Sequence, residues 1–343
     1  MQFPAWDPVL FDIPWLPIDV RWYGMMYIVG FVVAQFVLVR LTRTGFLPIS
    51  ADAAADLIFY CVFGVMLGGR VGYALFYDPD LRSPLAFLQV WKGGLAFHGG
   101  LMGVAVALWL FCRKHKVGWG RIADGCALAV TPGIFAVRVA NFINGELYGR
   151  VCEKTTAFAM QFPTDPRAMQ RLGIQNNWSM RDKELCIQVA YGKCRFEDVR
   201  PMLNDLDAQG RAIPWETVAP KLDWAKVSAE MVGGEPWVPY RHPSQIYEGL
   251  GEGVGLGILI WIVFRLTRHR KLRPGTFAVM FLLGYAVIRW SLETVREPDP
   301  QHGENVLFGM TMGQLLSCGL VVFAIGLVFW SWLHARKDAS AKA

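Results

Sequence analysis

With 343 residues, 54% of them hydrophobic and 18% charged, the chain carries less charge than a soluble enzyme of its length. Its mean hydropathy is +0.31, and its apolar residues fall in blocks of about 20, the length a helix needs to cross a hydrocarbon core. The net charge of +6 sits largely in loops between those blocks and gives no reason to expect a nucleic-acid partner.

Backbone groups find no water inside lipid, so each apolar block is predicted to be a helix. Residues 1–20 lack the basic and apolar regions of a cleavable signal, and none is expected. The blocks lie near 20–39, 56–77, 95–112, 122–140, 244–264, 275–292 and 308–333. The fold class read from them is an all-α integral membrane protein with about seven transmembrane helices. Arg40 and Arg43 follow the first block, Arg113, Lys114, Lys116 and Arg121 join the third to the fourth, and Arg265, Arg268, Arg270, Lys271 and Arg273 join the fifth to the sixth. Arg336, Lys337 and Lys342 come after the seventh. Alternate loops are thus basic, which places them in the cytoplasm, the N-terminus outside and the C-terminus inside.

Three regions follow: 1–149 with the first four helices, 150–240 as an external insertion, and 241–343 with the last three helices and a tail. The insertion is polar, of mixed charge and broken by prolines, and reads as an external arm or small domain. It holds Cys152, Cys186 and Cys194; an oxidising exterior would permit one disulfide among them and leave one thiol. Cys61, Cys112, Cys126 and Cys318 lie in or beside apolar blocks and read as small apolar residues. The 14 tryptophans suit interfacial belts.

Ionisable groups inside spans are costly, so each is a functional candidate. Tyr23 opens the first block beside Arg21; Arg70 lies late in the second among Gly68, Gly69 and Gly72; His98 starts the third beside Gly99 and Gly100. Arg138, Asn141, Asn144 and Glu146 close the fourth. His242, Gln245 and Glu248 open the fifth, and Arg289, Glu293 and Arg296 close the sixth. With the orientation above, all fall near the external face, so polar groups from six segments are expected at one depth. Arg138 with Asn141, and Arg289 with Glu293, are spaced to share a helix face.

Plainer roles stand beside these. Arg21 and Arg296 read equally as arginines snorkelling to the interface, and Arg70 as half of a buried structural pair. His98 reads equally as a satisfied core histidine. Asn141 and Asn144 read also as interhelical glue, and Glu146 and Glu248 as holders of arginines. Tyr23 reads also as a belt aromatic. The pair Cys112 and His115 in a basic loop makes a poor metal site. No phosphate-binding loop, dinucleotide fingerprint or zinc motif occurs, so neither metal nor cofactor is expected. A transporter or anion channel with an arginine-lined path is the alternative reading, but it calls for polar residues through the full depth of the spans. A non-catalytic lipid-binding scaffold is a third.

The segment Arg138-x-x-Asn141-Phe142-x-Asn144-x-Glu146-x-x-Gly149 resembles the signature of the prolipoprotein diacylglyceryl transferases of bacterial inner membranes. The resemblance extends to Arg21-Trp22-Tyr23-Gly24, Gly94-Leu95-x-x-His98-Gly99-Gly100, His242-Pro243-Ser244-Gln245-x-Tyr247-Glu248 and Arg289-x-x-x-Glu293-x-x-Arg296-x-Pro298-Asp299. The blocks stand in family order and cover essentially all spans. Ala140 departs from the family's usual glycine, and the 150–240 insertion is longer than the family's usual arm.

The resemblance implies transfer of the sn-1,2-diacylglyceryl group of phosphatidylglycerol to the lipobox cysteine thiol of a preprolipoprotein, with formation of a thioether and release of glycerol phosphate. It implies a multi-pass protein of the bacterial inner membrane whose active site faces the periplasm, with phosphatidylglycerol and a preprolipoprotein signal peptide as partners. Arg138 and Arg289 would neutralise the departing phosphate, and His98 is the candidate base. Arg138, Arg289, Asn141, Tyr23 and Arg70 would bind the lipid. Glu146 and Glu293 would fix arginine geometry, with Gly149, Asn144, Gln245, Glu248 and Arg296 in support. Gly149 is expected to shape the turn from the fourth span into the arm.

Overall fold

The computed structural model describes residues 1–12, 19–76, 97–270, 272–298 and 308–340, together with Phe87. Seven long helices occupy the apolar blocks: α1 (Trp22–Arg43), α2 (Ala51–Phe76), α3 (Phe97–His115), α4 (Trp119–Ile143), α10 (Ser244–Thr267), α11 (Thr276–Leu292) and α12 (Met312–Ser340). Five of them, α1, α2, α4, α10 and α12, are long and apolar enough to cross a membrane. Large apolar side chains such as Phe36, Phe63, Met102 and Val322 are exposed on these helices, as lipid-facing positions require. This is a mainly helical integral membrane protein.

Helix ends differ from the hydropathy blocks by a few residues. The second block was expected from 56, yet α2 begins at Ala51. Ser50 accounts for this: its hydroxyl accepts from the amide of Ala53 at 3.1 Å and its carbonyl from that of Ala54 at 3.0 Å. A capped first turn is polar, and so hydropathy alone does not see it.

The chain divides into two compact units, each assembled from separate stretches. One comprises Val29–Ile134, Glu252–Val287 and Leu316–Ala343. Within it α2 and α3 pack through glycines: a Cβ on Gly64 would lie 2.8 Å from the Gly103 carbonyl oxygen, and one on Gly68 2.7 Å from the Gly103 Cα. Small residues four apart let helix backbones touch, which substitutes for the hydrophobic drive that lipid removes. Asp124, fully buried on α4, accepts from the amides of Phe277 at 2.7 Å, Gly275 at 2.9 Å and Ala278 at 3.0 Å. It thereby caps α11 from another helix. The sequence reading overlooked this residue.

The other unit comprises Met1–Ile28, Phe135–Gly251 and Ile288–Leu315. A hairpin of β1 (Val9–Asp12) and β2 (Asp19–Arg21) pairs Val9 with Arg21 and Phe11 with Val20. The 150–240 insertion builds short helices α5 (Pro166–Leu172), α6 (Met180–Ala190), α7 (Phe196–Val199), α8 (Trp215–Val218) and α9 (Trp224–Ala229), followed by the ribbon β3 (Met231–Val232) and β4 (Glu235–Pro236). Its core is apolar, made by Phe162, Leu172, Cys186, Trp178, Trp215, Trp224 and Val238, with Phe3 and Ala5 of the N-terminal segment. Three tryptophans expected at interfacial belts are therefore core residues of a folded arm.

All seven cysteines are free thiols, and the disulfide considered for Cys152, Cys186 and Cys194 is not formed. Cys186 is fully enclosed on α6, where burial pushes its thiol pKa up to about 12. It behaves as a small apolar side chain.

Candidate functional site

Arg138 on α4, Arg289 on α11 and Arg296 just beyond α11 converge on one carboxylate, that of Glu248 on α10. Glu248 Oε2 lies 2.7 Å from Arg138 Nη2, 3.6 Å from Arg289 Nη1 and 3.7 Å from Arg296 Nη1. The carboxylate is buried, with 1% of its side chain exposed. Glycines let the helices come this close. A Cβ on Gly249 would stand 3.2 Å from the Arg138 Cβ, and one on Gly251 2.9 Å from Ile288 Cγ2. Arg289 has a second partner one turn along its helix, Glu293, at 3.2 Å between Nη2 and Oε2. Glu293 in turn accepts from the Thr311 hydroxyl at 2.7 Å. Beyond these ion pairs, Arg289 Nη1, both Glu248 carboxylate oxygens and Glu293 Oε2 are buried with no hydrogen-bond partner.

Beside the arginines lies a layer of amides. Asn141 and Asn144 each donate from Nδ2 to Glu146 Oε1 at 3.0 Å, and Gln245 Nε2 donates to the Glu146 backbone carbonyl at 2.6 Å. Tyr23, half-buried on α1, lies against Tyr27 with ring centroids 5.4 Å apart and planes tilted by 56°, and interacts through its hydroxyl with Asn141. Glu146, expected to fix arginine geometry, has its Oε1 shared by two asparagines. Glu248 and Glu293 hold the arginines.

A strip of backbone fixes Arg296. The amide of Gly149 donates to the His242 carbonyl at 2.7 Å, that of His242 to Arg150 at 3.1 Å, and that of Arg150 to Val295 at 2.9 Å. Gly149 does not make a turn by positive φ; Gly145 (φ 64) and Leu147 (φ 57) do. What requires glycine at 149 is close approach, since a Cβ there would run into the Val295 carbonyl and lie 2.8 Å from the His242 Cβ. Arg241, unremarked in the sequence reading, ties this strip to the arm. It pairs with buried Asp165 at 2.6 Å, donates to the Gly149 carbonyl at 3.2 Å and lies 4.8 Å over the Tyr148 ring. Arg21 bonds Glu184 of α6 at 2.6 Å, which makes it a clamp on the arm. Burial raises the Glu184 pKa, an effect that Arg21 counters.

Arg70 and His98 belong to the other unit. Arg70 is buried on α2, and one of its bonds runs from Nε to the Phe87 carbonyl at 2.9 Å. His98 stands in the first turn of α3, and its side chain, like Gly94, Leu95 and Asp299, lies outside the described residues. Among the described residues no group of His, Cys, Asp and Glu could hold a metal ion.

In a helical membrane protein, three arginines buried around one carboxylate are costly to hold and mark a functional site. The pattern of the prolipoprotein diacylglyceryl transferase family matches residues 8–330. Relatives named phosphatidylglycerol–prolipoprotein diacylglyceryl transferase are 36% identical in Ralstonia pickettii (99% of this chain, 98% of the relative) and 36% identical in Chromohalobacter salexigens (100% and 99%). One in Solidesulfovibrio magneticus is 34% identical over 99% of this chain and 98% of its own length. The chain belongs to the prolipoprotein diacylglyceryl transferase family.

Proposed function

We propose that Arg138, Arg289 and Arg296 receive the phosphate of phosphatidylglycerol and carry the negative charge that develops as it leaves. The chain is a transferase of lipoprotein biosynthesis that moves a diacylglyceryl group from phosphatidylglycerol to a prolipoprotein. One observation carries the assignment of the site: three guanidinium groups from two stretches of chain share a buried carboxylate, and Arg289 Nη1, 3.6 Å from that carboxylate, has no hydrogen-bond acceptor. A phosphate oxygen supplies that acceptor, and guanidinium forks match phosphate geometry.

In this reading the lipobox cysteine sulfur bonds to the glycerol carbon that bears the phosphate. The carbon–oxygen bond breaks, and glycerol phosphate leaves with the electron pair. The thiol proton passes to His98 as general base. Charge grows on the departing oxygen in a water-poor place, where preorganised cations count most. Asn141, Tyr23 and Arg70 orient the lipid, while Glu248 and Glu293 hold the arginines. The supporting topology is seven spans with the N-terminus in the periplasm, the basic loops in the cytoplasm and the site toward the periplasmic side of the inner membrane. A permeation path is not favoured, given the family.

The test uses purified protein, phosphatidylglycerol and a lipobox peptide, with thioether formation as readout. Arg289→Ala is expected to lose about 100–1000-fold in rate. Arg289→Lys should recover only part of this, because an ammonium lacks the planar fork. Undiminished transfer by Arg289→Ala overturns the assignment.

A further inference from the structure

The amide layer contains two buried acceptors with nothing to accept. Gln245 Oε1 and Asn144 Oδ1 each lack a hydrogen-bond donor, and Gln245 is only 1% exposed. Their orientation is imposed by chemistry. Glu146 offers the two amides only acceptors, a carboxylate oxygen to Asn144 and a backbone carbonyl to Gln245. Each NH₂ must therefore face Glu146, and each amide oxygen must point away from it. A buried acceptor left unpaired is destabilising, so the native fold tolerates a cost here that a donor from a ligand removes.

Spacing says what that donor belongs to. On α4, Arg138 and Asn141 are three residues apart, and on α10 so are Gln245 and Glu248. Arg138 meets Glu248, while Asn141 and Gln245 meet at Glu146. The amide layer thus lies one helical step from the guanidinium layer, a rise of about 4.5 Å for three residues. A ligand whose phosphate sits among the arginines presents its head group at that distance. Neutral hydroxyls suit the place. They donate to the orphan oxygens.

Resting on the phosphate assignment above, we propose that Gln245 and Asn144 read the hydroxyls of the glycerol head group and so set the enzyme's preference for a polyol phospholipid. The head group of phosphatidylglycerol carries hydroxyls on its second and third carbons from the phosphate ester oxygen. These are the donors the layer takes.

The experiment compares phosphatidylglycerol with phosphatidylpropanol, which keeps the phosphodiester and lacks both hydroxyls, as donors to a lipobox peptide in mixed micelles. The wild type is expected to favour phosphatidylglycerol in kcat/KM by about 10–100-fold, the worth of satisfying a buried acceptor. In Gln245→Leu that ratio falls toward one. Asn144 is less enclosed, so Asn144→Ala gives the same reading should Gln245→Leu not fold. A wild type indifferent to the hydroxyls overturns the proposal. So do variants in which both donors decline in proportion, since that is what a merely structural role gives. If Arg289→Ala loses nothing, the phosphate assignment fails and this proposal fails with it, whereas an unchanged hydroxyl preference in both amide variants beside an impaired Arg289→Ala overturns this proposal alone. Wild-type protein that transfers from neither lipid refutes both.

Discussion

Glu248→Gln is the substitution that presses hardest on this architecture, because it preserves shape and removes one charge from the centre of three. At an effective dielectric of about 20, unit charges at the observed 2.7, 3.6 and 3.7 Å attract by about 6, 5 and 4.5 kcal/mol. Desolvation of the buried groups offsets most of that sum. Deleting one partner nonetheless leaves its counter-charges uncompensated, which costs about 3–5 kcal/mol. At about 2 °C per kcal/mol for a chain of this size, the melting temperature in detergent should fall by roughly 6–10 °C. Transfer should fall by about 100-fold as Arg138, Arg289 and Arg296 lose their common anchor. Combining Glu248→Gln with Arg296→Gln should return at least about 1 kcal/mol, because the second change removes one stranded cation. Differential scanning fluorimetry and the thioether assay measure both effects. If Glu248→Gln melts within about 2 °C of the wild type and remains fully active, the carboxylate does not organise the cluster and the reasoning fails.

Further expectations follow from individual contacts. Gly149→Ala pushes a methyl group into the Val295 carbonyl and to within 2.8 Å of the His242 Cβ; it should cost about 1–3 kcal/mol and lower activity by displacing Arg296, read by melting and transfer assays. Asp124→Ala strands the amides of Gly275, Phe277 and Ala278 and should lower stability by about 2–4 kcal/mol, with solvent exchange rising at the start of α11. Burial lowers the His242 pKa, and its Nδ1 is enclosed without a partner. The folded state therefore prefers the neutral ring, so the stability it contributes is present above about pH 6.5 and is lost as pH falls through the depressed folded value. His242→Gln should flatten that part of the pH–melting curve, and an unchanged curve would show that another group titrates there.

The identity of the cluster was legible because charge inside an apolar block is conspicuous. Arg138, Asn141, Arg289 and Glu293 stood out by composition and spacing, and the structure places Arg138 with Arg289 and Arg289 with Glu293. Helix spacing is local information, so the i to i+4 pair was readable before any tertiary contact. Glu146 and Glu248 were both picked out as holders of arginines, and Glu248 is the one seen paired with them. Both are carboxylates near arginines in the chain, and which one meets a guanidinium depends on how α4 faces α10. Thr311, Arg241 and Asp165 carried no signal, since a threonine before a helix, an aspartate before a proline or an arginine in a polar stretch is ordinary in isolation.

The sequence by itself determined the apolar helices, the basic loops, the polar residues held in apolar surroundings and the family signature. These depend on transfer free energy and on neighbours a few residues away. Only the tertiary structure decided that Glu248 is the hub, that Glu146 turns two amide oxygens outward, and that Gly149 serves close approach rather than a turn. It also moved Trp178, Trp215 and Trp224 from supposed belts into a folded core, and kept Cys186 a buried thiol. Each of these turns on which backbone comes near which, across separations of up to about 150 residues of chain. No local rule carries that information, because the energy of a charge or an orphan acceptor is set by what surrounds it in space.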